Sequence, residues 1–249
     1  MHSVEIGRYA LYPIDLENYY FLLCISCVIL QLRQIIPNIN TPGRRLTMHD
    51  SKIAIDEILS AVIDYVEDSN FQNISLFRSL LRSWEEKRIE LPPTDMPVLR
   101  FMKELERNTS PSTDRITKLI VKYNELLHWR QTYTKSDKVE PEFLERYGFA
   151  AIISPSGPFV SNTIRAGFLM LGPQAFYPEH AHLAEEIYVV LSGTGAWTQG
   201  DEGEALRAPG SIFLHPSNVW HSLRTFDEPV LALYLWRGAR DPKEKSRFR

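Results

Sequence analysis

The segment Gly172-Pro173-Gln174-Ala175-Phe176-Tyr177-Pro178-Glu179-His180-Ala181-His182-Leu183-Ala184-Glu185-Glu186-Ile187-Tyr188, followed by Gly193, decides how this chain is read. Side chains alternate across an extended strand, so His180 and His182 share one face, and Glu186 and Tyr188 share a face of the next strand. Two neighbouring strands can then aim four ligand-type groups into one cavity. The chain has 7 histidines in 249 residues, yet His180, His182, His215 and His221 fall between positions 180 and 221, where even spreading would put about one.

A His-x-His pair, a carboxylate at position 186 and a later histidine form a donor set that holds a divalent transition metal and leaves positions open for substrate. Fe(II), Mn(II), Zn(II), Co(II) and Ni(II) all suit such donors, and the residue types do not choose among them. The alternative is a set of hydrogen-bonded polar residues on a sheet face, which is the usual fate of a single histidine. His215 follows the apolar run Ile212-Phe213-Leu214, is out of step with His221, and reads as a turn or surface histidine.

Outward from this segment, everything after Gly148 has the texture of an all-β unit. Short β-rich runs at 150–153, 166–171, 186–191, 195–198, 211–214, 221–225 and 230–236 are separated by Pro, Gly and Asp turns, the pattern of a sandwich or barrel. Before Gly148 the period is helical. Ile53, Ile55, Ile58, Leu59, Val62, Ile63 and Val66 make one apolar stripe behind an Asp50/Ser51 cap, and further helices are expected over 75–87, 97–107 and 112–132. The chain is therefore read as α+β: an N-terminal extension over 1–47, a helical region over 48–148 and a β-barrel carrying the metal site over 149–249. The helices are expected either to cap the barrel mouth or to form a homodimer surface.

Composition narrows the function classes. The net charge is −3 and no Lys/Arg tract occurs, so nucleic acid is not an expected partner. Cys24 and Cys27 form a C-x-x-C inside the apolar run 19–30, without the strand-then-helix context of a redox pair or a second ligand pair for zinc, and read as two thiols on a buried helix. That run is too short to span a bilayer, and Asp15 and Glu17 precede it where a signal peptide would be basic. A cytoplasmic, bacterial-style enzyme acting on a small molecule, with no membrane partner, is the expectation.

The same residues carry a family resemblance. His180, His182, Glu186 and Gly193 resemble the first cupin motif, and Gly210, Pro216 and His221 the second; Gly172 lies two residues early, Asn218 stands where that motif has Gly, and Thr225 where it has Asn. Asn tolerates the left-handed conformation that Gly would supply. The run 176–193, with its Ala184-Glu185-Glu186-Ile187-Tyr188 core and paired Tyr177 and Tyr188, is similar to the cupin-type dimethylsulfoniopropionate lyases. That resemblance implies a double-stranded β-helix of jelly-roll type and a carbon–sulfur lyase that yields dimethyl sulfide and acrylate. It further implies metal ligands at His182, Glu186 and His221, a metal-proximal tyrosine at Tyr188 and pocket aromatics at Tyr177 and Trp236. His180 matches the first motif histidine and is read both as a ligand and as a substrate contact.

The chemistry asks for such residues. The implied substrate is a zwitterion, and β-elimination needs a base for the proton alpha to the carboxylate while the sulfide leaves. A metal on the carboxylate stabilises the charge that builds up, and a dication favours a tyrosine phenolate, whose ordinary pKa of about 10 is too high for a base. Tyr188 is the expected base, with Tyr177 as the competing candidate. The sulfonium wants aromatic faces, for which Trp197, Phe213, Trp220, Tyr234 and Trp236 are available, Trp220 and Trp236 being taken as substrate contacts. The readings kept beside this one are a cupin dioxygenase or isomerase acting on another small carboxylic acid, and a non-catalytic ligand-binding cupin.

Overall fold

The computed structural model describes residues 47–82, 87–137, 139–238 and 246–249. The expectations for residues 1–46, including the Cys24/Cys27 pair, lie outside the described residues.

Helix α1, Met48–Asp68, opens on a capping box one turn earlier than the expected Asp50/Ser51 cap. Thr47 accepts from the Asp50 backbone N–H, and the Asp50 carboxylate accepts from the Thr47 N–H at 2.9 Å, so two orphan donors are satisfied reciprocally. Its buried stripe is Ala54, Ile58, Val62 and Val66. Helix α2 covers Ser75–Arg82, and the Pro97–Arg107 segment winds as a tighter 3-10 helix. Helix α3 covers Asp114–Tyr123 and ends in a 3-10 turn at Asn124–Leu126. The single helix expected over 112–132 is thus cut short, because Trp129 and Arg130 leave it to join a sheet and bury the Trp129 ring completely. Helix α4, Pro141–Glu145, completes the helical part among the described residues.

The described residues form twelve strands, the first of them before α4: β1 Trp129–Arg130, β2 Tyr147–Ser154, β3 Phe159–Val160, β4 Ile164–Leu171, β5 Phe176–Ala181, β6 Glu185–Ser192, β7 Gly195–Gln199, β8 Glu202–Arg207, β9 Ile212–His215, β10 His221–Thr225, β11 Val230–Arg237 and β12 Arg247–Phe248. One sheet runs β1-β2-β4-β11-β6-β9 with β3 parallel to β2; the other runs β12-β5-β10-β7-β8. From β4 to β7 the chain crosses repeatedly between the sheets, the jelly-roll-like arrangement of a cupin. Leu169, Val190 and Ala232 of the first sheet meet Trp197 and Leu223 of the second in one apolar core. Helix α3 sits on the first sheet, where the Thr117 hydroxyl donates to the Leu191 carbonyl at 3.3 Å. Strand β8 had no apolar run to announce it. It is an edge strand with Glu202, Gly203, Glu204 and Leu206 exposed and Arg207 half-buried, and such charge is how an edge avoids pairing with another chain.

The turn between β6 and β7 depends on Gly193, whose φ is +74°. A Cβ there would lie 2.0 Å from the Pro229 carbonyl oxygen. Gly193→Ala is expected to cost at least about 1–2 kcal/mol from the left-handed backbone alone, seen as a lower urea midpoint at unchanged slope. An unchanged midpoint would show that the turn relaxes freely.

Candidate metal centre and its cavity

His180 near the end of β5 pairs in register with His221, the first residue of β10; His182 lies one residue beyond β5, and Glu186 is the second residue of β6. The strand alternation expected for His-x-His therefore converges with two further strands on one point. Ligand-type atoms of His180, His182 and His221 all lie within 4.8 Å of one another, and the three residues are buried. Glu186, 1% exposed, sets Oε2 3.1 Å from His182 Nε2 and 3.5 Å from His221 Nε2.

One local device orients all three rings. His180 Nδ1 lies 2.8 Å from the Pro178 carbonyl, His182 Nδ1 2.9 Å from that of Ala184, and His221 Nδ1 2.9 Å from that of Val219. A carbonyl only accepts, so each Nδ1 carries the proton and each Nε2 is left as a lone-pair donor, the arrangement typical of metal-binding imidazoles. His221 Nε2 is buried with no hydrogen-bond partner. An orphaned imidazole nitrogen beside a buried carboxylate is what a cation resolves, so these residues fit a divalent metal.

The electrostatics agree. Burial alone would raise the Glu186 carboxyl, but the His182 and His221 rings beside it hold it well below the usual carboxylate range. Burial first, and the neighbouring His221 next, push His180 well below its ordinary value, so it is neutral, as a ligand requires. Trp236 Nε1 donates to Glu186 Oε1 at 2.5 Å, and its ring stacks on His182 at 4.0 Å. Tyr177 stacks on His180 at 4.0 Å and 14°, and its hydroxyl lies 2.9 Å from that of Tyr133.

Glu186 opens onto a cavity of about 420 Å³ walled by Tyr133, Tyr147, Tyr177, Tyr188, Tyr234 and Trp236, with Arg165 beside Trp236 and with Arg130 and Ser156 also in its lining. Burial raises the Tyr188 phenol well above its ordinary range, and the Glu186 charge and hydrogen bond add to that; burial, with neighbouring tyrosines, does the same to Tyr177.

Two expectations are corrected. His215 is not at the surface: it is 1% exposed, the inward-facing end of β9 in step with Phe213, and its ring lies face-on to His221 at 4.2 Å and 15°. Burial first, and His221 next, push its pKa down to about 3. Trp220 does not line the cavity. It adjoins the inward-facing His221 and lies beneath the guanidinium groups of Arg247 and Arg249, at 5.5 and 5.9 Å. Of the remaining aromatics, Trp197 and Phe213 meet edge-to-face within the core at 4.9 Å, whereas Tyr234 and Trp236 reach the cavity. Arg130 was missed because the helix expected over 112–132 covers it, and Tyr133 and Tyr147 because they lie between that helix and the first expected β run at 150–153. No local signal marks them: Arg130-Gln131-Thr132 is an unbroken polar run, and Tyr147 comes to the cavity only through tertiary packing against Tyr177.

Two facing sheets, antiparallel but for the β2–β3 pair, with a buried His/His/His/Glu cluster define a cupin-type protein with a candidate metal centre. Residues 68–232 match the dimethylsulfoniopropionate lyase family, and the chain belongs to that family. It is 31% identical over 146 residues to dimethylsulfoniopropionate lyase DddQ of Ruegeria pomeroyi, covering 59% of this chain and 72% of that protein. The crystal structure of DddQ from the same organism superposes with a TM-score of 0.70 at 26% identity, over 79% of this chain and 96% of the other. A chain from the crystal structures of the lyases RdDddP and RnDddQII gives a TM-score of 0.68 at 28% identity, over 80% and 99%.

Proposed function

We propose that this chain cleaves dimethylsulfoniopropionate to dimethyl sulfide and acrylate by base-promoted β-elimination. The observation that carries this reading is the pairing, in a member of this family, of the Tyr188 phenol with Glu186 of the buried histidine cluster, both on the wall of one aromatic cavity. His182, Glu186 and His221 would hold the metal, with His180 as a further donor. A divalent transition ion there supplies Lewis-acid stabilisation of negative charge and lowers the pKa of an adjacent phenol.

The chain's own residues supply the rest. Tyr188 takes the proton from the carbon alpha to the carboxylate at its Oη; the electrons left behind form the carbon–carbon double bond as the carbon–sulfur pair departs with neutral dimethyl sulfide. Tyr177, already hydrogen-bonded to Tyr133 and stacked on His180, orients the substrate beside it. The faces of Tyr234 and Tyr147 receive the sulfonium, each cation–π contact contributing about 0.5–2 kcal/mol, with the Trp236 edge closing the wall beside them. The enzyme is read as cytoplasmic. Among the described residues no helix is long and apolar enough to cross a membrane.

Purified protein incubated with the substrate is expected to release dimethyl sulfide, measured by headspace gas chromatography. Release should stop after chelation and return with one of Fe(II), Mn(II), Zn(II), Co(II) or Ni(II). Silence with all five would overturn the lyase reading.

A further inference from the structure

The cavity is larger than a small zwitterion needs: at about 30 Å³ per water, its 420 Å³ equals about 14 waters. The surplus space leads away from the histidine cluster. On the inner face of the first sheet, Tyr188, Tyr234, Gly167 and Ala151 stand in one row across four strands. Gly167 is required there, since a Cβ would lie 2.4 Å from the Ala150 carbonyl oxygen and 2.6 Å from the Tyr234 hydroxyl. With only Gly167 and Ala151 in the row beyond Tyr234, the cavity continues toward Arg130 and Ser156. Ser156 is exposed, so this end meets solvent.

Arg130 is held ready but is not neutralised. Its guanidinium lies over the Phe149 ring at 5.0 Å, the cross-strand neighbour of Arg130, and Nη1 donates to Ser156 Oγ at 3.1 Å. Its Nε is buried without a hydrogen-bond partner, and among the described residues no carboxylate pairs with it. A guanidinium fixed in plane by a ring, anchored by one neutral hydroxyl and left with open donors, matches the two oxygens of a carboxylate. From this geometry we infer an outer subsite for short-chain carboxylates at Arg130 and Ser156. It rests on the lyase reading for what fills it: the carboxylate of entering substrate and, after cleavage, acrylate on its way out.

Calorimetric titration of the full chain with propionate, as purified and after chelation, tests this without turnover. Arg130→Met is expected to weaken propionate binding about tenfold to a hundredfold in both states, as for loss of a charge-assisted pair, with Arg130→Lys between. Inhibition of sulfide release by acrylate should weaken in parallel, while inhibition by trimethylsulfonium, which has no carboxylate, stays the same. Propionate affinity unchanged in Arg130→Met, absent from the wild type, or abolished by chelation alone would overturn the subsite. If the wild type released no sulfide, the lyase reading would fall and the calorimetry would still decide on Arg130.

Discussion

Tyr188→Phe is expected to lower the rate of dimethyl sulfide release by about 10²–10⁴-fold, the range for loss of a positioned general base, while metal content stays at the wild-type level. The hydroxyl is not counted among the ligands, and Phe keeps the ring that packs at 4.8 Å against Trp197, so the fold has no reason to respond. Tyr177→Phe is expected to cost far less, because its hydroxyl is engaged by Tyr133. The pH profile adds a second readout. Burial first and Glu186 next raise the Tyr188 phenol, so without a compensating cation it stays protonated at any ordinary pH. The active form is the phenolate, hence wild-type activity should rise with pH on the alkaline side, and that limb should vanish in Tyr188→Phe. Collapse in Tyr177→Phe with Tyr188→Phe spared would move the base to Tyr177.

The centre of the site was legible because it lies in a short stretch obeying one rule. Period-two alternation alone placed His180, His182, Glu186 and Tyr188 together, and the left-handed turn anticipated at Asn218 is present with φ of 62°. What failed lay where that rule was misapplied or where no local rule exists. His215 was judged by its distance from His221 instead of by its parity with Phe213, two residues earlier on the same strand. Trp220 was counted as a wall residue from its chemistry, although its adjacency to an inward His221 already argued for the opposite direction. Tyr133 and Tyr147 reach the cavity from segments flanking α4, and tertiary packing alone brings them to Tyr177, at ring separations of 6.0 and 5.3 Å. Helix propensity likewise overran its limit after Tyr123, because the energy of burying Trp129 in the sheet is not visible in a window of local periodicity.

Glu186→Gln tests the metal centre itself. The amide keeps the shape of the carboxylate but lacks the charge that both His182 and His221 face, and ligand substitution of this kind should cost at least the 10–100-fold in metal affinity seen even for outer-shell partners. Sulfide release should fall below detection and metal per chain, by elemental analysis, from near stoichiometric to a small fraction. Stability separates this from a folding defect. An ion that binds only the native state stabilises it by about 2.7 kcal/mol at a hundredfold excess over its dissociation constant, so the wild type's Tm should climb on metal addition. The variant's should not, while its Tm after chelation stays near that of the chelated wild type, because beside two neutral imidazoles there is no ion pair to break and the Gln oxygen can still accept from Trp236 Nε1. A Glu186→Gln protein that kept the full metal-induced rise would remove Glu186 from the ligand set and leave the three histidines as the whole of it.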